Sequence, residues 1–306
     1  MSSILVSGLV NLETTLRVEG FPIGYSPVLY PFGGVSSSIS GVGMNIALAL
    51  GALGDRVNFL SLLGTDLAGD GALAAIAAAG IDTAHILRPM PHTPQSVILY
   101  DGAGRRQINV DLKDIQDRRY PKGDFLAALK GADAALLCNI NFNRDLLPQA
   151  KTADVPVFCD VHVLRDPRDE YNRDFMEAAQ LLFLSDEGLW APPMEAAAEL
   201  LSLYACRIVV IGLGAKGALL CEAGEEPRLV PARDTRPIVS TIGAGDALFS
   251  AFTHYYLAGH SPSDALRRAT AFASWKIGEA GAAKGFLTKD ELERLVCQDH
   301  KESEHA

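Results

Sequence analysis

Short apolar runs alternate with alanine- and leucine-rich segments along most of this 306-residue chain. Residues 4–9, 57–63, 134–140, 157–163, 181–184 and 208–212 are near-continuous apolar runs with the length of strands buried on both faces. Helical patterns fall between them: SGVGMN running into IALALGALG and closed by Gly54, LAAIAAAG ending at Gly80, and residues 124–130, 146–153, 174–180 and 194–204. Regular alternation of this kind predicts an α/β fold, a mostly parallel sheet with helices on both faces.

The alternation breaks in two places. After the first run, residues 14–18 and 28–32 read as two further strands, with Gly20, Pro22, Gly24 and Pro27 between them. Residues 95–100 and 105–110, joined by Asp101-Gly102-Ala103-Gly104, read as a hairpin. The two excursions predict a small β-sheet apart from the main one, serving as a lid or a dimer contact. One domain over residues 1–306, with lid segments at about 12–38 and 92–113, is the economical organisation.

Toward the C-terminus, residues 217–221 and 228–231 read as short strands around an acidic turn. Residues 238–252, IVSTIGAGDALFSAF, read as a strand, a tight turn and the start of a helix that ends near Gly259. Ser261, Pro262 and Asp264 supply an N-cap, a proline at the first helical position and an acid in the first turn, so a new helix begins there and runs to about Glu279. TKDELERLV, residues 288–296, is the last expected helix, and the polar tail QDHKESEHA is expected to fray.

Composition narrows the function. A net charge of −10 and a pI near 5.2 argue against nucleic acid or an anionic membrane as the main partner, while leaving room for a local basic pocket that binds a phosphate. No run approaches the length of a membrane span, and the apolar N-terminal strand lacks the basic and cleavable regions of a signal peptide, so a cytoplasmic location is expected. Five scattered cysteines without CxxC spacing fit reduced thiols better than disulfides or a zinc site.

In an open parallel sheet, ligands sit beyond the carboxyl ends of the strands. The residues there are Asn11 and Glu13, the stretch 41–45, the stretch 64–66, Asn139 and Asn141, Asp160 and His162, the stretches 185–187 and 212–217, and the stretch 243–246. The glycine-rich turn at 212–217 lacks both the GK[ST] ending of a P-loop and the third glycine of a dinucleotide fingerprint. Asp160 and His162 read as hydrogen-bonded structural residues and are set aside. Gly243, Ala244 and Gly245 allow backbone N–H groups at a helix start to face an anion. Asp246 beside them is either a helix-start stabiliser or a base next to a site built for negative charge.

SGVGMNIALALGALG, LGTDLAGD, GLGAKG and STIGAGDALFSAF, in this order and spacing, resemble the ribokinase-like sugar kinases of the PfkB family over nearly the whole chain. The resemblance implies a three-layer α/β fold with a β-sheet lid, and ATP- and Mg²⁺-dependent phosphorylation of a hydroxymethyl group of a small sugar or nucleoside. It implies Gly243, Ala244 and Gly245 as the anion hole and Asp246 as the base. Gly212, Gly214, Lys216 and Gly217 would line the nucleotide site, and Asn11, Glu13, Gly41, Gly43 and Asn45 the sugar site. Such chemistry needs in-line positioning and charge neutralisation more than covalent participation.

The chain departs from the family pattern at several positions. Ser240 stands where an aspartate linked to a monovalent-cation site is usual, which argues against activation by potassium. Ser185-Asp186-Glu187-Gly188 replaces an NxxE motif, leaving Asp186 or Glu187 to substitute, with Glu187 the candidate to hold Mg²⁺ through water. Glu13 replaces a common sugar-binding aspartate. Val42 replaces a lysine, which favours an unphosphorylated acceptor, although Arg88, Arg105 or Arg106 on or near the lid offers a phosphate clamp. The alternatives are a sugar-phosphate kinase of the same family and a catalytically silent ligand-binding member. A homodimer through the lid strands is also expected.

Overall fold

The computed structural model describes residues 1–103 and 105–303. The chain runs β1 (Ser3–Ser7), β2 (Asn11–Arg17), β3 (Val35–Ser40), α1 (Val42–Ala52), β4 (Arg56–Gly64), α2 (Leu67–Ala78), β5 (Ile86–Met90), β6 (Gln95–Tyr100) and β7 (Arg106–Asp111). It continues through α3 (Lys122–Leu129), β8 (Ala134–Leu137), α4 (Leu147–Thr152), β9 (Val157–Asp160), α5 (Arg173–Ala178), β10 (Ala179–Ser185), α6 (Pro193–Leu203) and β11 (Ile208–Gly212). The last elements are β12 (Ala218–Glu222), β13 (Arg228–Val230), α7 (Ala244–Leu257), α8 (Pro262–Lys276) and α9 (Lys289–Ser303).

The main sheet has the order β13-β12-β11-β10-β9-β8-β1-β4-β5. It is parallel from β5 to β11, and β12 and β13 extend it antiparallel at one edge. Side chains that alternate along each strand feed two cores. Ile4 and Val6 of β1 join α1, α7 and α8 on one face, whereas Leu5 joins α3, α4, α5 and α6 on the other. The strand order turns at β1, from which the chain first builds toward β5 and later toward β11. Such a reversal opens a crevice at the carboxyl ends of the strands.

The second sheet has the order β3-β2-β6-β7, with β2 and β6 parallel and both outer pairs antiparallel. It is assembled from both excursions, but one of its strands is not where the apolar pattern points. Residues 28–32, which follow Pro27 and include Pro31, form no strand and are exposed, and the pairing strand is the serine-rich β3. A strand whose residues are mostly Ser carries little hydrophobic signal, and its identity comes from the ladder it makes with β2. The turn expected at 101–104 includes Gly104, which lies outside the described residues.

Three further differences have physical causes. β5 contains Pro89 and sits at the sheet edge, where a missing N–H is tolerated. Among the described residues, 238–242 pair with no strand, and the N–H groups of Val239 and Ser240 both donate to the Ile277 carbonyl, at 2.8 and 2.9 Å. The last helix runs on to Ser303 rather than fraying after Val296, and residues 304–306 of the expected tail lie outside the described residues. Among the described residues, no helix is long and apolar enough to cross a membrane.

Candidate active site

The N-terminus of α7 is the centre of the site. Gly243 caps it in a left-handed conformation (φ 79°), and a Cβ there would lie 2.9 Å from the Ala282 carbonyl oxygen, so only glycine fits. The first N–H groups of a helix lack intrahelical acceptors and sit at its positive end. At Gly245 the nearest neighbour of an added Cβ is an Asp160 carboxylate oxygen, at 4.0 Å. Asp246 follows in the first turn and is buried. Its carboxylate accepts a 2.6 Å hydrogen bond from the side-chain amide of Asn45, on α1.

The glycines before Asn45 act through close packing. Gly41 has φ 109° and a Cβ there would sit 2.5 Å from the Leu9 carbonyl oxygen; one on Gly43 would sit 2.6 Å from the Gly8 carbonyl carbon. Their bare backbones let α1 start against the end of β1, which brings Asn45 to Asp246. Ser40 Oγ donates to Asn45 Oδ1 at 3.4 Å and steadies the amide from the other side.

On β2, Asn11 and Glu13 are both buried. Asn11 donates to Ser96 Oγ at 2.9 Å, but its Oδ1 has no partner, nor has Glu13 Oε1. Buried polar atoms of folded proteins are nearly always paired, so two orphaned acceptors on one strand mark a place for hydroxyl donors. Burial raises the Glu13 pKa, opposed by the Ser40 hydroxyl and the Lys276 ammonium, with the Asp246 charge adding to the rise.

Sequence reasoning set aside two residues that the structure brings into the site. Asp160, His162 and Asp246 each place a ligand-type atom within 4.8 Å of the others. His162 holds a left-handed backbone (φ 60°), unusual for a non-glycine residue and of the kind that gathers at functional sites. Its N–H donates to Asp160 Oδ1 at 2.8 Å, and its imidazole lies 3.4 Å from the other carboxylate oxygen. Burial works against the charged imidazole, but Asp160 and then Asp246 outweigh it and push its pKa up to about 9. Asp160 is lowered because the imidazolium outweighs its burial. Asp246 is raised by burial, against the pull of His162 and Asn45. Spacing alone, two residues apart at the end of β9, was the available signal.

The other candidates divide clearly. Gly212 ends β11, and its carbonyl accepts the Asp186 N–H at 2.9 Å, tying the 185–187 turn to the 212–217 turn. Gly214 (φ 57°) opens to free space and Lys216 is exposed, whereas a Cβ on Gly217 would strike the Val230 carbonyl at 2.0 Å. The exposed Glu187 lines an open groove of about 600 Å³ with Phe21, Arg105, Arg106 and Gln107. An accessible carboxylate suits Mg²⁺ held through water; Asp160 and Asp246 already share the proton-bearing His162. Arg106 reaches from β7 to donate to Thr241 Oγ1 at 2.7 Å. Arg88 instead binds the Gly64 carbonyl and Asp70, and Arg105 binds Asp101. Asp66 caps α2 and holds Thr93, which is a structural role. Asn139 and Asn141 bond to Asn172, Gln116 and Arg144.

The sequence model described as pfkB family carbohydrate kinase matches residues 1–289. The chain is 28% identical over 271 residues to acarbose 7(IV)-phosphotransferase from an Actinoplanes species, covering 87% of this chain and 89% of that protein. It is 26% identical over 300 residues to the bifunctional protein HldE of Mesorhizobium japonicum, covering 91% of this chain but only 58% of that longer protein. Among solved structures, the microbiome-derived acarbose kinase Mak1 superposes with a TM-score of 0.88 at 24% identity, over 97% of this chain and 99% of that one, a likeness of fold.

Proposed function

Because the chain belongs to the pfkB family of carbohydrate kinases, we propose that it transfers the γ-phosphoryl group of ATP to a hydroxymethyl group of a small sugar or nucleoside. The observation that carries this reading is the Asp246 carboxylate, buried in the first turn of α7 and aimed by Asn45. Asn11 and Glu13 offer unpaired acceptors to the acceptor's other hydroxyls, and Asn45 joins them. A hydroxyl so held gives its proton to Asp246 as its oxygen attacks the γ-phosphorus, the bond from that phosphorus to the bridging oxygen breaks, and ADP leaves. Negative charge gathering on the phosphoryl oxygens meets the N–H groups of Gly243, Ala244 and Gly245. Gly212, Gly214, Lys216 and Gly217 line the nucleotide side. Glu187 would hold Mg²⁺, which would supply charge neutralisation at the ATP phosphates.

The small sheet, with residues 12–38 and 92–113, is the lid of a single domain, and the Arg106 bond to Thr241 is its latch over the anion hole. The exposed Val97, Ile108 and Val110 of that sheet support a homodimer through the lid, which sedimentation as a monomer at high concentration would remove. Free cysteines, four of them buried, support a reducing cytoplasm.

An ADP-release screen over sugars, nucleosides and sugar phosphates tests the proposal. Turnover abolished by Asp246→Asn supports it. Saturable sugar binding without turnover of any acceptor overturns it in favour of a silent member. The same Arg106 position, beside the anion hole, favours a second reading in which the acceptor already carries a phosphate. Turnover confined to the sugar phosphates of the panel would select that reading.

A further inference from the structure

Three consecutive residues at the end of α8 hold the segment that precedes the anion hole. The Trp275 carbonyl accepts Arg236 Nε at 2.6 Å, with that guanidinium stacked 4.4 Å from the Trp275 ring centre. The Ile277 carbonyl accepts the N–H groups of Val239 and Ser240. Between them Lys276, fully buried at 0% exposure, turns its ammonium onto the Ile242 carbonyl and onto the Gly281 carbonyl at 2.7 Å. Ile242 is the residue immediately before Gly243. A charge in this position is costly to bury and is tolerated only where oxygen dipoles and opposite charges surround it. Here the two carbonyls, the negative end of α8 and the nearby carboxylates of Asp246 and Glu13 do so.

A potassium ion beside this turn would need the same oxygens. The Ile242 carbonyl already faces the ammonium, and Ser240 supplies a neutral hydroxyl that accepts the Ile242 N–H at 3.4 Å. The residues present therefore do not fit a monovalent cation. We propose that Lys276 is a built-in replacement for that cation, its ammonium ordering the anion-hole turn from within the chain. Ammonium and potassium are similar in size and both gather carbonyl oxygens. In a trans peptide the C=O and N–H groups point opposite ways, so pinning the Ile242 oxygen to Lys276 directs the Gly243 N–H away from the ammonium. Lys276 is thus a positioning residue that acts through the turn.

The inference rests on the kinase reading, so its first test needs no catalysis. Lys276→Ala empties the ammonium's place among the carbonyls, and its melting temperature is compared in KCl, NH₄Cl and NaCl at one ionic strength. Higher melting in K⁺ and NH₄⁺ than in Na⁺ is expected for the alanine variant, with wild type indifferent to the cation. An alanine variant indifferent to all three, or a wild type stabilised specifically by K⁺, overturns the proposal. Lys276→Met keeps the bulk and guards against an alanine variant that does not fold. With the best acceptor of the panel its kcat should fall roughly tenfold, with KM for that acceptor within about twofold of wild type. Neither salt should restore it, because the methionine fills the place. A methionine variant with wild-type kcat, or wild-type turnover activated by K⁺, overturns the proposal. Absence of turnover with every acceptor would count against the kinase reading, and the melting comparison would still decide the role of Lys276.

Discussion

Asn45 and Asp246, 201 residues apart in the chain, share a hydrogen bond of 2.6 Å between the amide and the carboxylate. This bond stabilises the ionised carboxylate against its burial. Asp246→Asn should lower kcat by about 10³, whereas Asn45→Leu should lower it by about tenfold and raise the Asp246 pKa further. The acid limb of the kcat profile should therefore move to higher pH in the leucine variant. A limb that stays in place would mean that Asn45 does not tune the base.

His162 adds a second control on the same carboxylate. Its pKa is lifted from an ordinary 6.5 to about 9 by Asp160 and Asp246, which outweigh burial. A base whose folded pKa is raised contributes stability that is complete below pH 6.5 and is lost as the pH climbs through about 9. His162→Asn should be destabilised relative to wild type at neutral pH, and the difference should shrink by the alkaline end of that window. Denaturant melts at a series of pH values measure this; a difference independent of pH contradicts the ion-pair assignment.

Lys276 should behave in the opposite sense. Burial lowers its pKa from 10.5 to about 8, partly offset by Asp246, Glu13 and Glu279, while Arg236 adds to the fall. The cost of burying the charge is complete below about pH 8 and disappears between there and 10.5, so wild-type stability relative to Lys276→Met should rise across this window. Activity should fall as the pH rises through about 8, where the folded protein loses the ammonium. Divergent pH profiles of stability and turnover are the expected signature, and parallel ones argue against it.

Arg106 lies on an exposed strand, and its bond to Thr241 joins the small sheet to the turn before α7. Arg106→Ala should raise KM for the acceptor by about tenfold with a smaller effect on melting temperature. A sugar phosphate should suffer more than its unphosphorylated counterpart if the guanidinium grips a phosphate, and Arg106→Lys should then restore binding only in part, because an ammonium cannot bridge two phosphate oxygens in parallel.

Gly43 offers a test of packing against binding. A Cβ there would meet the Gly8 backbone at 2.6–2.8 Å, so α1 must move for Gly43→Ala to fold. The cost should be about 1–3 kcal/mol of stability, read from denaturant melts. Unchanged stability with weakened acceptor binding would instead place Gly43 in direct contact with the sugar.

Alternating apolar runs were enough to predict the parallel sheet and its flanking helices, because each strand buried on both faces must be apolar wherever its neighbours come from. The glycines at 243 and in 212–217 marked turns in the sequence, but that Gly243, Gly41 and Gly217 press against Ala282, Leu9 and Val230 is known only from the fold. Other features have no local cause. The mostly β-branched residues 238–242 look like a strand and are not one, because strand hydrogen bonds require a neighbour and the N–H groups of Val239 and Ser240 find the end of α8. Serine-rich β3 shows the converse, a strand created by its partner.

The same division runs through the site. Asp246 and the glycines before it could be picked out from the sequence alone, because a tight turn followed by a helix start is encoded in adjacent residues. His162 and Lys276 could not. One is a histidine at a strand end, the other a lysine in the last turn of a helix, and in most proteins both positions are simply solvated. Their chemistry arises where β9, α7 and α8 converge: Lys276 is buried against two carbonyl oxygens, and the partly exposed His162 lies against the carboxylates of Asp160 and Asp246.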